Sequence, residues 1–314
     1  MSIVKLDSEY EPLRFIPDMD LEVFVADAPG IRAMMLRAQS AFPKRQSDRL
    51  AIEDRQIETP HGMLGVRVYR PKTEGLKGAL LYFHGGGYIV GNLDSEHGRC
   101  VDYAEQADCV VVSVDYRLAP EFVFPSQHDD GWAALAWLLS HAQSLGVDPA
   151  KIAVGGGSAG AALAAGLALR ARDEGSPSIC FAMLVQPVVD PHAGSHSART
   201  FNDTPFLKGS QLPGVWKLYL GSPAPTGKLL SYAAALATDD FSGFPPSLLL
   251  IGNVDPARDE GLELARRLVR AGSEVELHLI PGAPHGFDFV EGARATQLSL
   301  DLRIAALKRA FGVS

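Results

Sequence analysis

From Glu53 to Arg70 the chain reads EDRQIETPHGMLGVRVYR, with apolar and polar positions alternating on either side of a Pro-His-Gly turn. That is the pattern of an antiparallel hairpin with one buried face. Beyond it, short and almost wholly apolar runs recur between longer segments with apolar residues at helical spacing: GALLYF, CVVVSVD, KIAVGG, CFAMLVQPVV, PSLLLIGN and VELHLIP. Such runs read as buried strands. Helical patterns fill most of the gaps, at Asp129 to His141, Ala159 to Arg172 and Arg258 to Ala271. Strand, helix and strand in succession imply a parallel sheet covered on both faces, because a parallel crossover needs roughly a dozen residues or more. The expected fold class is α/β.

Two stretches stand outside this alternation. Residues 1–45 carry helical signals without strand alternation, and Ile31, Met34, Met35 and Ala38 repeat at helical spacing. The segment Asp190 to Lys228 is long, holds several prolines and glycines, and carries Phe201, Phe206, Leu207, Trp216, Leu218 and Tyr219. A gap of that length inside a compact domain is usually functional, so it reads as an insertion above the sheet, its aromatics either bounding a pocket or packing ordinarily. The expected organisation is an N-terminal part of a cap at 1–45, core at 46–189, a cap insertion at 190–228, and the remaining core at 229–314.

Composition narrows the function classes. A chain of 314 residues, 46% hydrophobic and 21% charged, is folded and large enough for one substantial core. Lysine plus arginine number 29 against 37 aspartates and glutamates, so the net charge is 29 − 37 = −8, a field that repels nucleic acid and anionic membrane surfaces. No apolar run approaches the roughly 18 residues of a membrane span, and MSIVKLDSEYEPLRF lacks the apolar stretch of an export signal. A cytoplasmic location is expected. Cys100, Cys109 and Cys180 show no CxxC spacing, so neither a disulfide framework nor a zinc site is indicated.

The strongest chemical signal is Gly156-Gly157-Ser158-Ala159-Gly160, which follows the strand-like KIAVGG and opens a helix-like stretch. Small neighbours permit a sharp strand-to-helix turn that exposes a nucleophilic serine above the sheet; the plainer reading is a helix whose N-cap is Ser158. Upstream, GALLYF runs into His84-Gly85-Gly86-Gly87-Tyr88. A serine hydrolase must stabilise a tetrahedral oxyanion with backbone N–H groups, and Gly85, Gly86 and Ala159 are the expected donors. The base must follow Ser158 in the chain. His285 does so directly after the last strand-like run, whereas His192 and His196 precede every late strand and His278 lies within one. The four-residue spacing of His192 and His196 makes only a weak metal pair beside a proline and a glycine, so no metal is expected. Asp255, at the exit of PSLLLIGN, is the acid that would orient the histidine, while Asp259 and Glu260 fall in a helix's first turn, where acids favour the dipole.

Taken together, HGGGY at 84–88, DYRLAPE at 115–121, GGSAG at 156–160, DPARDEG at 255–261 and HGF at 285–287 resemble the bacterial hormone-sensitive-lipase-like esterases over nearly the whole chain. The resemblance implies an eight-stranded α/β-hydrolase core, mostly parallel, with a helical cap. It also implies hydrolysis of short-acyl carboxylic esters without a cofactor, and Arg117 and Glu121 holding loops under the site. One departure stands out: most relatives carry an acid where this chain has Gly157, which puts side-chain support of the turn in question. Two rival readings remain open. The similar plant gibberellin receptors bind a hormone without hydrolysis but lack the triad histidine, and an amidase or lactonase would use the same residues. The edge run VELHLIP leaves a homodimer open.

Overall fold

A computed structural model of the chain describes residues 5–16, 20–175 and 178–313. The N-terminal segment is helical: a 3-10 turn at Ser8–Phe15 precedes α1 (Leu21–Ala26) and α2 (Ala28–Ser40). Asp20 and Asp27 cap the two α-helices by accepting otherwise free amides of the first turn. Of the segment expected at 1–45, residues 1–4 and 17–19 lie outside the described residues.

The alternating stretch forms the hairpin of β1 (Leu50–Thr59) and β2 (Gly62–Pro71), paired from Thr59 against Gly62 back to Leu50 against Pro71. The apolar runs form β3 (Lys77–Phe83), β4 (Val110–Asp115), β5 (Val147–Gly157), β6 (Phe181–Val185), β7 (Ser247–Val254) and β8 (Val275–Pro284). Eight strands make one sheet in the order β1-β2-β4-β3-β5-β6-β7-β8. Only the pairings made by β2 are antiparallel. The run CFAMLVQPVV is strand only as far as Val185, because Gln186 takes a positive φ of 50° and turns the chain out of the sheet.

Helices cover both faces. They are α3 (His97–Gln106), α4 (Ser126–Ser140), α5 (Ala142–Leu145), α6 (Ala159–Glu174), α7 (His196–Thr200), α8 (Leu212–Leu220), α9 (Gly227–Ala233), α10 (Arg258–Arg270) and α11 (Arg294–Phe311). The period of two along a strand sorts its side chains between two cores. Ala79, Leu81 and Phe83 of β3 join the core under α4, α6 and α10. Leu80 and Tyr82 join the one under α3 and α11, which also takes Tyr10 and Leu13. Since β3 and β5 to β8 run parallel, the residues that follow Phe83, Gly157, Val254 and Pro284 all emerge at the same edge of the sheet.

Candidate active site

Ser158 occupies the one-residue turn between β5 and α6, with φ 55° and ψ −119°. A non-glycine residue rarely adopts that conformation, and it holds here because packing leaves no alternative. A Cβ at Gly156 would lie 2.4 Å from the carbonyl oxygen of Phe83, and one at Gly160 would lie 2.0 Å from it. The helix can approach β3 only with glycine at both places, and the amide of Ser158 is tied to the carbonyl of Val185 at 2.8 Å.

Asp255 and His285 follow β7 and β8 directly. His285 Nε2 lies 2.8 Å from Ser158 Oγ, and His285 Nδ1 lies 2.8 Å from Asp255 Oδ2. Asp255 is 0% and His285 2% exposed, so the relay is shielded from water. The other oxygen, Oδ1, accepts from the amide of Ala257 at 2.7 Å. A carboxylate can only accept, so Nδ1 carries the proton and Nε2 is left to accept from the serine hydroxyl. Next to the histidine, the amide of Gly286 donates to Gln186 Oε1 at 2.7 Å. In the sequence the only signal for Gln186 is a break in an apolar strand run, which reads equally as an ordinary loop start.

The glycine loop departs from expectation in one respect. The amide of Gly85 donates to the buried carboxylate of Glu96, at 2.9 Å from Oε1. Among the described residues, the amides of Gly86, Gly87 and Ala159 donate to no protein acceptor. Of the three expected donors, Gly86 and Ala159 thus keep open amides, Gly85 is engaged by Glu96, and Gly87 adds a further open amide. His84 shapes this loop. Its ring stacks on Tyr116 with centroids 4.2 Å apart, and its carbonyl accepts from the Tyr116 hydroxyl at 2.7 Å. Burial lowers the His84 pKa below the ordinary imidazole value.

Helices following β6 roof the glycine loop. A Cβ at Gly87 would meet Val215 at 3.3 Å. Buried Trp216 packs against Tyr88, and Tyr219 stacks on Tyr88 with centroids 3.6 Å apart. Arg117 pairs with Asp130 at 2.8 Å, and Glu121 pairs with Arg32 of α2 at 2.8 Å. Arg32 also donates to the carbonyl of Ile89, which lashes α2 to the far end of the glycine loop. Asp259 and Glu260 do more than favour a helix dipole: Asp259 accepts the amide of Ser197 at 2.8 Å, and Glu260 accepts that of Val189 at 2.9 Å. Burial pushes the Glu260 carboxyl well above its usual range despite the amides of Asp190 and Val189 that donate to it. His192 and His196 are exposed, and His278 pairs with Glu276 on β8. Among the described residues, no cluster of three histidine, cysteine or acidic side chains is placed to hold a metal. Nor is any described helix long and apolar enough to cross a membrane.

Comparison with known proteins agrees with this architecture. A family described as the alpha/beta hydrolase fold matches residues 80–289. Ethyl acetate hydrolase of Pseudomonas putida is 37% identical over 274 residues, 85% of each chain. Carboxylesterase NlhH of Mycobacterium tuberculosis is 35% identical over 318 aligned positions, 96% of this chain and 99% of that one. Among solved structures, bacterial heroin esterase superposes with a TM-score of 0.90 at 36% identity, covering 98% of both chains. The chain belongs to the α/β-hydrolase family, among its hormone-sensitive-lipase-like bacterial esterases.

Proposed function

We propose that this chain is a carboxylesterase that hydrolyses small neutral esters through an acyl-enzyme on Ser158. The observation that carries the reading is the unbroken relay from Ser158 Oγ through His285 to buried Asp255, with both contacts at 2.8 Å. In this mechanism Ser158 attacks the ester carbonyl as its proton passes to His285 Nε2, and the imidazolium then protonates the departing alcohol. Water, deprotonated by the same nitrogen, releases the acid. Asp255 holds the ring in the required tautomer. The amides of Gly86, Gly87 and Ala159, which donate to no protein acceptor among the described residues, take the oxyanion, a stabilisation that grows only as the carbonyl oxygen gains charge.

Three finer statements belong to this proposal. The cap consists of residues 1–45 and 190–228, and through Val215 and Trp216 it sets the size of acyl group admitted. The acidic chain acts in the cytoplasm on diffusible esters. A homodimer would form by pairing of β8, the free parallel edge of the sheet, and light scattering measures its mass.

The deciding experiment is turnover of p-nitrophenyl butyrate by wild type and Ser158→Ala, together with covalent labelling by a fluorophosphonate. Loss on the order of a million-fold in kcat, with labelling confined to Ser158, is expected. Retention of more than a few per cent of activity by Ser158→Ala refutes the assignment.

A further inference from the structure

Gly157 has no side chain, yet the place where one would point is filled. A Cβ built there would lie 3.4 Å from Glu96 Oε1 and 3.8 Å from Glu96 Oε2. Glu96 stands immediately before α3, more than sixty positions earlier in the chain; its side chain does not cap the helix and is buried. Its Oε1 accepts the Gly85 amide at 2.9 Å. Its Oε2 accepts the Tyr82 hydroxyl and pairs with Arg99 at 3.1 Å. Burial on its own would raise this carboxyl, but Arg99, the Tyr82 hydroxyl and the Gly85 amide outweigh it and hold the group below the usual carboxylate range. An anion thus stands between the backbone of the glycine loop and that of the serine turn. Those two segments touch, since a Cβ at Gly85 would meet the Gly157 carbonyl at 3.1 Å and Ser158 Cβ at 3.6 Å.

The contact has a directional consequence. By drawing the Gly85 N–H inward, Glu96 fixes the start of a loop whose next two amides are left without a protein acceptor. The anchoring extends further: Arg99 also approaches Asp288 at 3.8 Å, and Asp288 pairs with buried Arg303 at 3.0 Å. Asp288 lies three residues beyond His285, so one ionic chain links the glycine loop to the segment that carries the histidine.

We propose that Glu96 is the positioning residue of the oxyanion loop, supplying from α3 the carboxylate that position 157 lacks. It touches no reacting atom; it acts by orienting the loop, and the proposal rests on the reading of the site given above. Its signature is a fall in kcat with little change in KM, because the substrate carbonyl is neutral when bound and charged only in the transition state.

The test is a cycle of Glu96→Ala, Gly157→Asp and the double variant, with kcat, KM and thermal midpoint measured for each on p-nitrophenyl butyrate. Glu96→Ala should lower kcat by roughly ten- to a hundredfold, less than the roughly hundred- to thousandfold for deleting an oxyanion donor because the amides remain and only their orientation is loosened, and move KM by no more than about twofold. Gly157→Asp should lower both kcat and the midpoint, because two carboxylates then crowd one buried site. The double variant restores a single carboxylate between the same backbones, and its kcat should exceed that of either parent by about tenfold. Should Glu96→Ala yield no folded protein, Glu96→Gln takes its place in the cycle, keeping the volume and losing the charge. A double variant no faster than the Glu96 variant overturns the proposal. So does a kcat that merely follows the thermal midpoint across the set. Fluorophosphonate labelling of wild-type Ser158 is run alongside: its absence would overturn the nucleophile assignment, whereas labelling without rescue would overturn only the role of Glu96.

Discussion

Asp255→Asn replaces one carboxylate oxygen of the relay with an NH2 group, and the structure shows why neither orientation of the amide works without loss. Both aspartate oxygens accept: Oδ1 from the Ala257 amide at 2.7 Å and Oδ2 from His285 Nδ1 at 2.8 Å. Asparagine has one acceptor. If its oxygen stays on Ala257, its NH2 faces Nδ1, which must then give up its proton and accept, so the imidazole carries hydrogen on Nε2 and the serine hydroxyl loses its acceptor. If the amide is reversed, its NH2 abuts the Ala257 N–H in a site with 0% exposure, leaving donors unpaired at a cost of about 1–3 kcal/mol. The first arrangement abolishes the productive tautomer and the second keeps it only at that cost, so the productive form becomes a minor species. By analogy with serine-protease triads the loss in kcat should be about ten-thousand-fold, or roughly 5.5 kcal/mol of activation free energy. The assay is single-substrate kinetics on p-nitrophenyl butyrate, normalised to folded protein by circular dichroism. A variant that keeps more than a tenth of wild-type kcat would refute Asp255 as the orienting acid.

The remaining predictions concern stability and substrate size. His128 is buried in α4, stacked on Tyr232 with centroids 5.5 Å apart, and burial, aided by Arg170, lowers its pKa from 6.5 to about 4. Between those values the unfolded chain binds a proton that the native protein does not, so this contribution is complete above pH 6.5 and lost as pH falls toward 4, amounting to roughly 3 kcal/mol. Urea unfolding at pH 7 and pH 4.5 should therefore differ less in His128→Phe than in wild type, and an unchanged difference would remove His128 as the cause. Trp216→Ala opens space beside Tyr88 at the end of the glycine loop, so a p-nitrophenyl ester series should show its optimum moving to longer acyl chains. A lower thermal midpoint with an unmoved optimum would make Trp216 a packing residue alone.

The parts of the site that were legible in the sequence are those whose placement is local. GGSAG lies between an apolar run and a helical pattern, so strand, turn and helix each declare themselves within a few residues, and parallel strands then bring the ends of β5, β7 and β8 to one edge. Chain order does the rest for His285 and Asp255. Helical spacing likewise marks α2, but it does not say which face is covered: Met34 and Met35 are 60% and 41% exposed, while polar Arg32 reaches in to the Ile89 carbonyl. Charged residues are where local reasoning runs out. In HGRCVDYAEQ nothing distinguishes Arg99 from a solvated side chain, because its partners Glu96 and Asp288 come from the residue before the helix and from a loop almost two hundred residues on.

The glycine loop shows how far such a distant charge reaches into the chemistry. Three successive glycines are identical as letters, and any two adjacent amides of HGGG satisfy the requirement for an oxyanion hole. What separates them is Glu96, which takes the Gly85 amide and leaves those of Gly86 and Gly87 without a protein acceptor among the described residues. The same carboxylate lies 3.4 Å from the missing Cβ of Gly157. A larger residue at 157 would press on it, and an acid there would repel it. On the proposal made for Glu96, one buried anion thus accounts both for glycine at 157 and for the engaged Gly85 amide, a link visible only once the start of α3 and the turn after β5 are brought into contact.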